Sequence, residues 1–363
     1  MKPVLFVTGH APAYRAGAFA RLHELQHIEL ALFGGRAKHG GELAAPALAV
    51  PHRRARPRAI YRLAASGEYR AVVCSTAGRL APVAAWAGAR RARVPLILWA
   101  SLWAHPRTPA HAFTYVPLRA LYRSADAVVT YGAHVSAYVR THGARNVHVA
   151  RQSVDNDFWS AAAETEPRLT SWPQPWAVRF LFVGRPVREK GIAVLMRAWS
   201  QAELHPHAGL VLAGVDSDSA LPHSAAHGDD GVRCMGLLAK DELRSVYASC
   251  DVLVLPSVRT RNFREPWGLV INEAMNLKLP VIASDEVGAA AGGLVRDGVN
   301  GLVVGAGDPA ALAEALARLA ADADLRARLG ATGARDVRAF SHESWADGFS
   351  RALASVGVSR GRC

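Results

Sequence analysis

CDVLVLPSVRTRNFREPWGLVINEAMNLKLPVIAS, residues Cys250–Ser284, holds two short apolar runs separated by a polar corner and a helical stretch. Val252–Leu255 and Pro280–Ala283 are apolar throughout, the pattern of strands covered on both faces. Pro266 and Gly268 break any helix before them, and Leu269–Leu277 reads as a helix opening directly after the corner. Strand, loop, helix, strand is the repeating unit of a parallel sheet.

Outward from this stretch the pattern recurs. Phe180–Val183, Gly209–Ala213 and Leu302–Val304 are further strand candidates, with helices near Gly191–Gln201, Lys240–Ser249 and Pro309–Leu319. The first half follows the same scheme. Its strands are Val4–Val7, Ile28–Phe33, Ala71–Cys74, Pro95–Trp99, Ala127–Thr130 and Val147–Val149, with helices near Gly17–Leu25, Ala81–Arg90, Phe113–Tyr122 and Val135–Thr141. Between the halves, Glu164 to Trp176 has three prolines and little periodicity, which places a linker there. The spacing predicts two tandem doubly wound, Rossmann-like α/β domains facing a cleft, over 1–165 and 177–340, with a terminal piece over 341–363. In that piece His342–Ser355 is helical, with Trp345, Phe349 and Leu353 on one apolar face. The sequence does not choose which domain it docks on.

The corner itself carries chemistry. Glu265 lies on the loop and Glu273 about one and a half turns into the helix. A helix start gathers unpaired amides and the positive end of the helix dipole, a natural seat for phosphate. Carboxylates accept bonds from vicinal hydroxyls, so phosphate flanked by two carboxylates suggests a nucleotide sugar. Arg185 and Lys190 bracket a second strand-end loop, FVGRPVREKG (Phe182–Gly191), with Gly184 and Gly191 as its turn glycines. Fixed cations of this kind neutralise a diphosphate without a metal. The bland alternative for each piece is a tight turn with solvated side chains.

The chain has 363 residues, 50% of them hydrophobic, enough for two cores. The net charge of +13 is uneven: residues 1–150 hold 20 Lys+Arg against 5 Asp+Glu, or +15, leaving 23 against 25, or −2, for 151–363. The densest runs are His52–Arg58 (HRRARPR) and Arg90–Arg93 (RRAR). They suit an anionic surface such as phospholipid headgroups, or else a solvated arginine-rich face. No nucleic-acid motif accompanies them, so nucleic acid is not an expected partner. Cys74, Cys234, Cys250 and Cys363 form no C-x-x-C pair, which points to reduced thiols and no zinc ribbon. The opening MKPVLFVTGH is too short for a signal-peptide core, and the longest apolar run, Val94–Ala104, is short of a membrane span. A cytoplasmic protein is expected, with peripheral association at the inner face of the membrane through the arginine runs.

Taken together, GRPVREKG, CDVLVLPS (Cys250–Ser257), EPWGLVINEAM and VIASDEVGAAAGGLVRDGVNGLVV (Val281–Val304) resemble the nucleotide-sugar domain of the retaining glycosyltransferases of family 4, which have the GT-B fold. The matches run in order over about 125 residues of the second half. The first half matches loosely, through SADAVVTYG (Ser124–Gly132) and QSVDNDFW (Gln152–Trp159).

The resemblance implies a retaining sugar transfer from a nucleoside-diphosphate sugar to an acceptor held by the first half. That acceptor would be lipid-linked, or a cell-envelope or secondary-metabolite glycan. Arg185 and Lys190 would contact the diphosphate, Glu273 the ribose hydroxyls, and Glu265 the transferred sugar near its anomeric carbon. Backbone amides of Trp267, Gly268, Leu269 and Val270 would bind the sugar or the distal phosphate. Gly9, ending the first strand, would let backbone approach the diphosphate. No cofactor or metal is expected: Asp216–Ser–Asp218 sits in a polar loop and reads as a turn.

Two departures concern the acceptor half. The loop Thr8–Phe19 (TGHAPAYRAGAF) has Gly9 as its one glycine near the strand end, where many members are glycine-rich. Where many members end a strand on a histidine that touches the donor sugar, LILWAS (Leu96–Ser101) has Trp99 or Ala100. His105, a few residues on, is the candidate to take that catalytic place, with His10 a further loop histidine. The alternative to an enzyme is a non-catalytic or partner-dependent sugar-nucleotide-binding subunit of the same fold.

Overall fold

The computed structural model describes residues 2–34, 48–105, 108–162, 176–216 and 231–358, and for 109–113 the backbone alone. The chain divides into two compact units, Met1–Asp155 with Phe340–Cys363, and Asn156–Ala339.

The first unit runs β1 (Val4–Thr8), α1 (Ala16–Gln26), β2 (Ile28–Leu32), β3 (His52–Arg54), α2 (Pro57–Ala65), β4 (Ala71–Ser75), α3 (Ala81–Ala92), β5 (Leu96–Ala100), α4 (Pro109–Ser124), β6 (Ala127–Thr130), α5 (Ala133–Thr141) and β7 (Val147–Val149). Its strands form one parallel sheet in the order β3-β2-β1-β4-β5-β6-β7. Successive side chains of a strand take opposite faces. Leu5, Val7, Val72, Cys74, Leu96 and Leu98 accordingly enter one core cluster, while Val4, Phe6, Ala71, Val73, Ile97 and Trp99 enter another.

The basic run His52–Arg58 becomes the exposed edge strand β3 and the start of α2. Arginines on an edge strand keep its open side from pairing with another chain. In α2, Pro57 opens the helix and Ile60 and Ala64 supply the buried face.

The second unit contains α6 (Asn156–Ser160), β8 (Val178–Val183), α7 (Ile192–Ala202), β9 (Ala208–Ala213), β10 (Val232–Cys234), α8 (Lys240–Ala248), β11 (Val252–Leu255), α9 (Val270–Asn276), β12 (Val281–Ser284), α10 (Gly288–Ala291), β13 (Leu302–Val304), α11 (Pro309–Ala321) and α12 (Ala323–Val337). Its six strands are parallel, in the order β10-β9-β8-β11-β12-β13. The direction of the strand order reverses between β8 and β11, and at such switch points the crevices of open α/β sheets form.

The change of unit comes at Asp155–Asn156, ahead of the expected residue 165. The side chain of Asn276 on α9 donates to Asn156 on α6 at 2.9 Å, tying α6 to the second unit. The expected linker lies outside the described residues except Trp176, which packs on Gly209 of β9. Cys363 and Asp218 also lie outside them; Cys74, Cys234 and Cys250 are free thiols.

The last helix, α13 (His342–Ser355), belongs to the first unit. Ser341 caps it by accepting the Ser344 amide at 3.2 Å, while the Ser344 hydroxyl accepts the Ser341 amide at 3.1 Å. Trp345, Phe349 and Leu353 are buried in the cluster that holds Phe6, Phe19 and Trp99. No helix among the described residues is long and apolar enough to cross a membrane.

Candidate functional site

The loops leaving β8 and β11 meet at the switch point of the second sheet. After β8 the chain passes Gly184 and Arg185, makes a 3₁₀ turn over Arg188–Lys190, and enters α7 through Gly191. Gly191 has φ +71°, and a Cβ there would lie 1.9 Å from the carbonyl oxygen of Pro256. Only glycine lets this loop cross the one after β11 so closely. The crossing is tied by the Val258 amide, which donates to the Glu189 carbonyl at 2.9 Å.

That crossing sets the Lys190 ammonium 2.6 Å from Glu265 Oε2, joining residues 75 apart in sequence. The Ser257 hydroxyl donates to the same oxygen at 3.4 Å. Both charged groups are largely shielded from water, with side-chain exposures of 18% for Lys190 and 9% for Glu265. A pair this close in a low-dielectric setting is strongly coupled.

The Pro266–Gly268 corner is held from below. The amide of Gly288 donates to the Glu265 carbonyl at 3.1 Å and that of Ala289 to the Trp267 carbonyl at 2.8 Å, fastening the corner to the start of α10. The buried Trp267 indole donates to Asn272 at 2.8 Å, so its ring is a structural peg of the corner. Gly268 adopts φ +90°, and a Cβ would come within 2.7 Å of Leu255. Leu269 and Val270 then open α9. Beside the corner, Arg264 pairs with Glu286.

Glu273 lies in α9, half-buried, and accepts a hydrogen bond from the Tyr247 hydroxyl of α8 at 2.8 Å. Loss of hydration pushes its carboxyl up to about 7, against the opposing pull of the Tyr247 hydrogen bond and of Lys240. Tyr247 is raised well above its ordinary value, first by burial and then by the Glu273 charge. Arg185 is exposed, and its guanidinium makes no ion pair with any described residue.

Gly184, Arg185, Lys190, Glu265, Trp267, Gly268, Leu269, Val270 and Glu273 therefore all fall on three connected segments of the second unit. Ser257, Tyr247 and Asn272 were not singled out from the sequence. Ser257 and Asn272 lie inside the motif strings, whereas Tyr247 gives no signal until the fold sets α8 beside α9.

Gly9 and His105 belong to the first unit. Gly9 directly follows β1, and its carbonyl accepts from the Gly34 amide at 2.6 Å. A Cβ on Gly9 would meet Phe33 at an ordinary 3.8 Å, so the fold itself does not require glycine there. The half-buried His105 ring meets Tyr115 edge to face at 5.1 Å. Trp99 faces the core, against Phe6 and Phe349.

The switch-point loops, their ion pair and the carboxylate on α9 coincide with a family model. Residues 177–322 match the model described as Glycosyl transferases group 1. This stretch is a glycosyl transferases group 1 domain.

Relatives of the group 1 domain include the phosphatidyl-myo-inositol mannosyltransferase of Mycobacterium leprae, 32% identical over 195 residues, covering 53% of this chain and 50% of that protein. The D-inositol 3-phosphate glycosyltransferase of Salinispora tropica is 36% identical over 176 residues, 44% of this chain and 34% of that one. The chain thus spans about half or less of the length of these curated relatives. Among solved structures, Anabaena HepE in complex with UDP and glucose aligns with TM-score 0.75 at 18% identity, covering 98% of this chain and all of that one. The sucrose-phosphate synthase of Thermosynechococcus elongatus aligns with TM-score 0.74 at 20% identity, covering 98% and 99%. The fold is GT-B: two Rossmann-like units, of which the second is the group 1 domain.

Proposed function

We propose that this chain is a retaining glycosyltransferase that moves a sugar from a nucleoside-diphosphate sugar to an acceptor bound by the first unit. The observation that carries the reading is the 2.6 Å Lys190–Glu265 pair at the switch point of the group 1 domain, with Glu273 on the adjoining helix. Such a group offers a cation to a diphosphate and carboxylates to sugar and ribose hydroxyls.

In this reading Lys190 and the exposed Arg185 take the diphosphate, and Glu273 accepts the ribose hydroxyls. The amides at Trp267–Val270 take the sugar or distal phosphate. Glu265 lies beside the anomeric carbon and orients Lys190 toward the leaving group. As the anomeric C–O bond breaks, charge develops on the diphosphate. Fixed cations and amides at such a position are each worth about 3–4 kcal/mol. Gly9 and His105 are proposed as further donor-contacting residues, and no metal is needed. UDP is the first nucleotide to test, because HepE structures hold UDP and UDP-glucose. We further propose a lipid-linked acceptor, reached by peripheral association of the arginine-rich face with an anionic membrane.

The test is a melting-temperature screen with UDP, GDP, ADP, TDP and CDP, followed by turnover of the matching sugar nucleotides. A shift with one diphosphate that disappears in Glu273→Ala, together with sugar transfer lost in Glu265→Gln, supports the reading. Full turnover in Lys190→Ala or Glu265→Gln sinks it.

A further inference from the structure

Arg15 closes the 3₁₀ turn Ala13–Arg15 between β1 and α1, and it is only 4% exposed. Its guanidinium carbon lies 5.0 Å from the ring centre of Trp99, 5.4 Å from Tyr14, 5.6 Å from Trp345 and 5.9 Å from Tyr131. One nitrogen, Nη2, donates to Gln152 Oε1 at 2.7 Å, and Gln152 is itself fully buried. The other, Nη1, is buried with no hydrogen-bond acceptor, and no described carboxylate lies within ion-pair distance.

A guanidinium cannot shed its proton to escape burial. Ring faces and one neutral amide oxygen attract the cation, but a buried charge is ordinarily met by an opposite one. We propose that this aromatic box is an oxyanion site, whose ligand is a phosphate or carboxylate group carried by the acceptor.

Three features fit that ligand. The turn lies beyond the carboxyl end of β1, the end at which parallel sheets bind ligands. One of the four rings, Tyr14, is 44% exposed, so the box has a wet side. The eleven-residue α1 starts at Arg15 with neither a side-chain cap nor an acidic residue in its first turn, so its dipole adds positive potential beside the guanidinium. A planar guanidinium matches the paired oxygens of both anions. The oxyanion site does not depend on the donor reading; assigning its ligand to the acceptor rests on that reading.

The probe is inorganic phosphate, with acetate in a parallel arm to separate phosphate from carboxylate recognition. Binding is read by melting temperature and by tryptophan emission, since Trp99 and Trp345 contact the guanidinium. The measurements use the wild type and an Arg185→Ala/Lys190→Ala double variant that disarms the other phosphate-binding loop. One of the two anions should give a saturable response in both proteins, and Arg15→Met should abolish it while melting no lower than wild type in anion-free buffer. Arg15→Lys keeps the charge but loses the fork, and should bind at least tenfold more weakly; it carries the test if Arg15→Met does not fold. No response to either anion in the double variant, or an undiminished response in Arg15→Met or Arg15→Lys, overturns the site. An Arg15→Met protein that folds but melts well below wild type, with no anion response in either, would make Arg15 packing cement only.

Discussion

Lys190 and Glu265 hold each other's charge in place, and removing either one strands the other in a poorly hydrated pocket. Breaking a shielded pair costs about 3–5 kcal/mol, while replacing both partners is nearly neutral. Lys190→Met should therefore lower the unfolding free energy measured in urea, and Lys190→Met/Glu265→Gln should recover most of it. Turnover should stay at least about 100-fold down in both variants, as expected for lost charge stabilisation of a leaving group. Recovery of activity along with stability in the double variant would show that the pair is structural. Glu273 offers a second test through pH. Its folded carboxyl is raised from 4.5 to about 7, so the folded state holds the proton more tightly than the unfolded one. Its contribution to the stability of the nucleotide-free protein should grow as pH falls from 7 toward 4.5. UDP affinity should do the reverse, weakening below about pH 7 as the ribose acceptor is protonated. The nucleotide's own phosphate titrates nearby, so the diagnostic quantity is the difference from Glu273→Gln. A wild type and variant with superimposable pH profiles would remove Glu273 from the ribose.

Strands and loops differ in how far they can be read from residues. Val4–Val7 and Val252–Leu255 are apolar throughout because parallel strands are covered on both faces, and that composition is visible without a structure. β3 escaped because its residues His52, Arg53 and Arg54 are all exposed, so its place in the sheet comes from backbone pairing with β2 alone. β10 is three residues long, and α10 is a single turn fixed by the corner it fastens. The donor-side residues were legible because they sit in contiguous strings. The Tyr247–Glu273 contact was not, because it spans two helices. At this scale Gly191→Ala is the sharpest probe: a methyl group aimed at the Pro256 carbonyl must part the two loops. We expect a folded protein with a lowered melting temperature and turnover reduced along with the Lys190–Glu265 geometry. Unchanged kinetics would mean the crossing tolerates being opened.

For the molecule as a whole, charge and chain path are the informative features. Exposed Arg53, Arg54, Arg56, Arg58 and Arg62 lie on β3 and α2, while Arg90, Arg91 and Arg93 close α3, which packs on α2 through Gly88 against Ala64. Phosphatidylglycerol vesicles should co-sediment the protein at low salt and release it as salt rises, whereas phosphatidylcholine vesicles should not bind it. Equal binding to both, or none, would refute the membrane proposal. The chain path gives a further expectation. Trp345 and Phe349 are fully buried beside Phe6, Phe19 and Trp99, so Trp345→Ala should cost about 3–5 kcal/mol in the first unit. A 1–155 fragment should not fold by itself and should be rescued by co-expressed 340–363; a stable lone fragment would contradict the packing. This return of the chain also fixes an order of birth. A ribosome has made every residue of the group 1 domain before it makes α13, so the second unit can finish folding first while the first waits with one sheet face only partly covered, by α1. In the cell that interval is when the protein is most exposed to aggregation, and chaperone dependence should follow the time needed to translate residues 156–341.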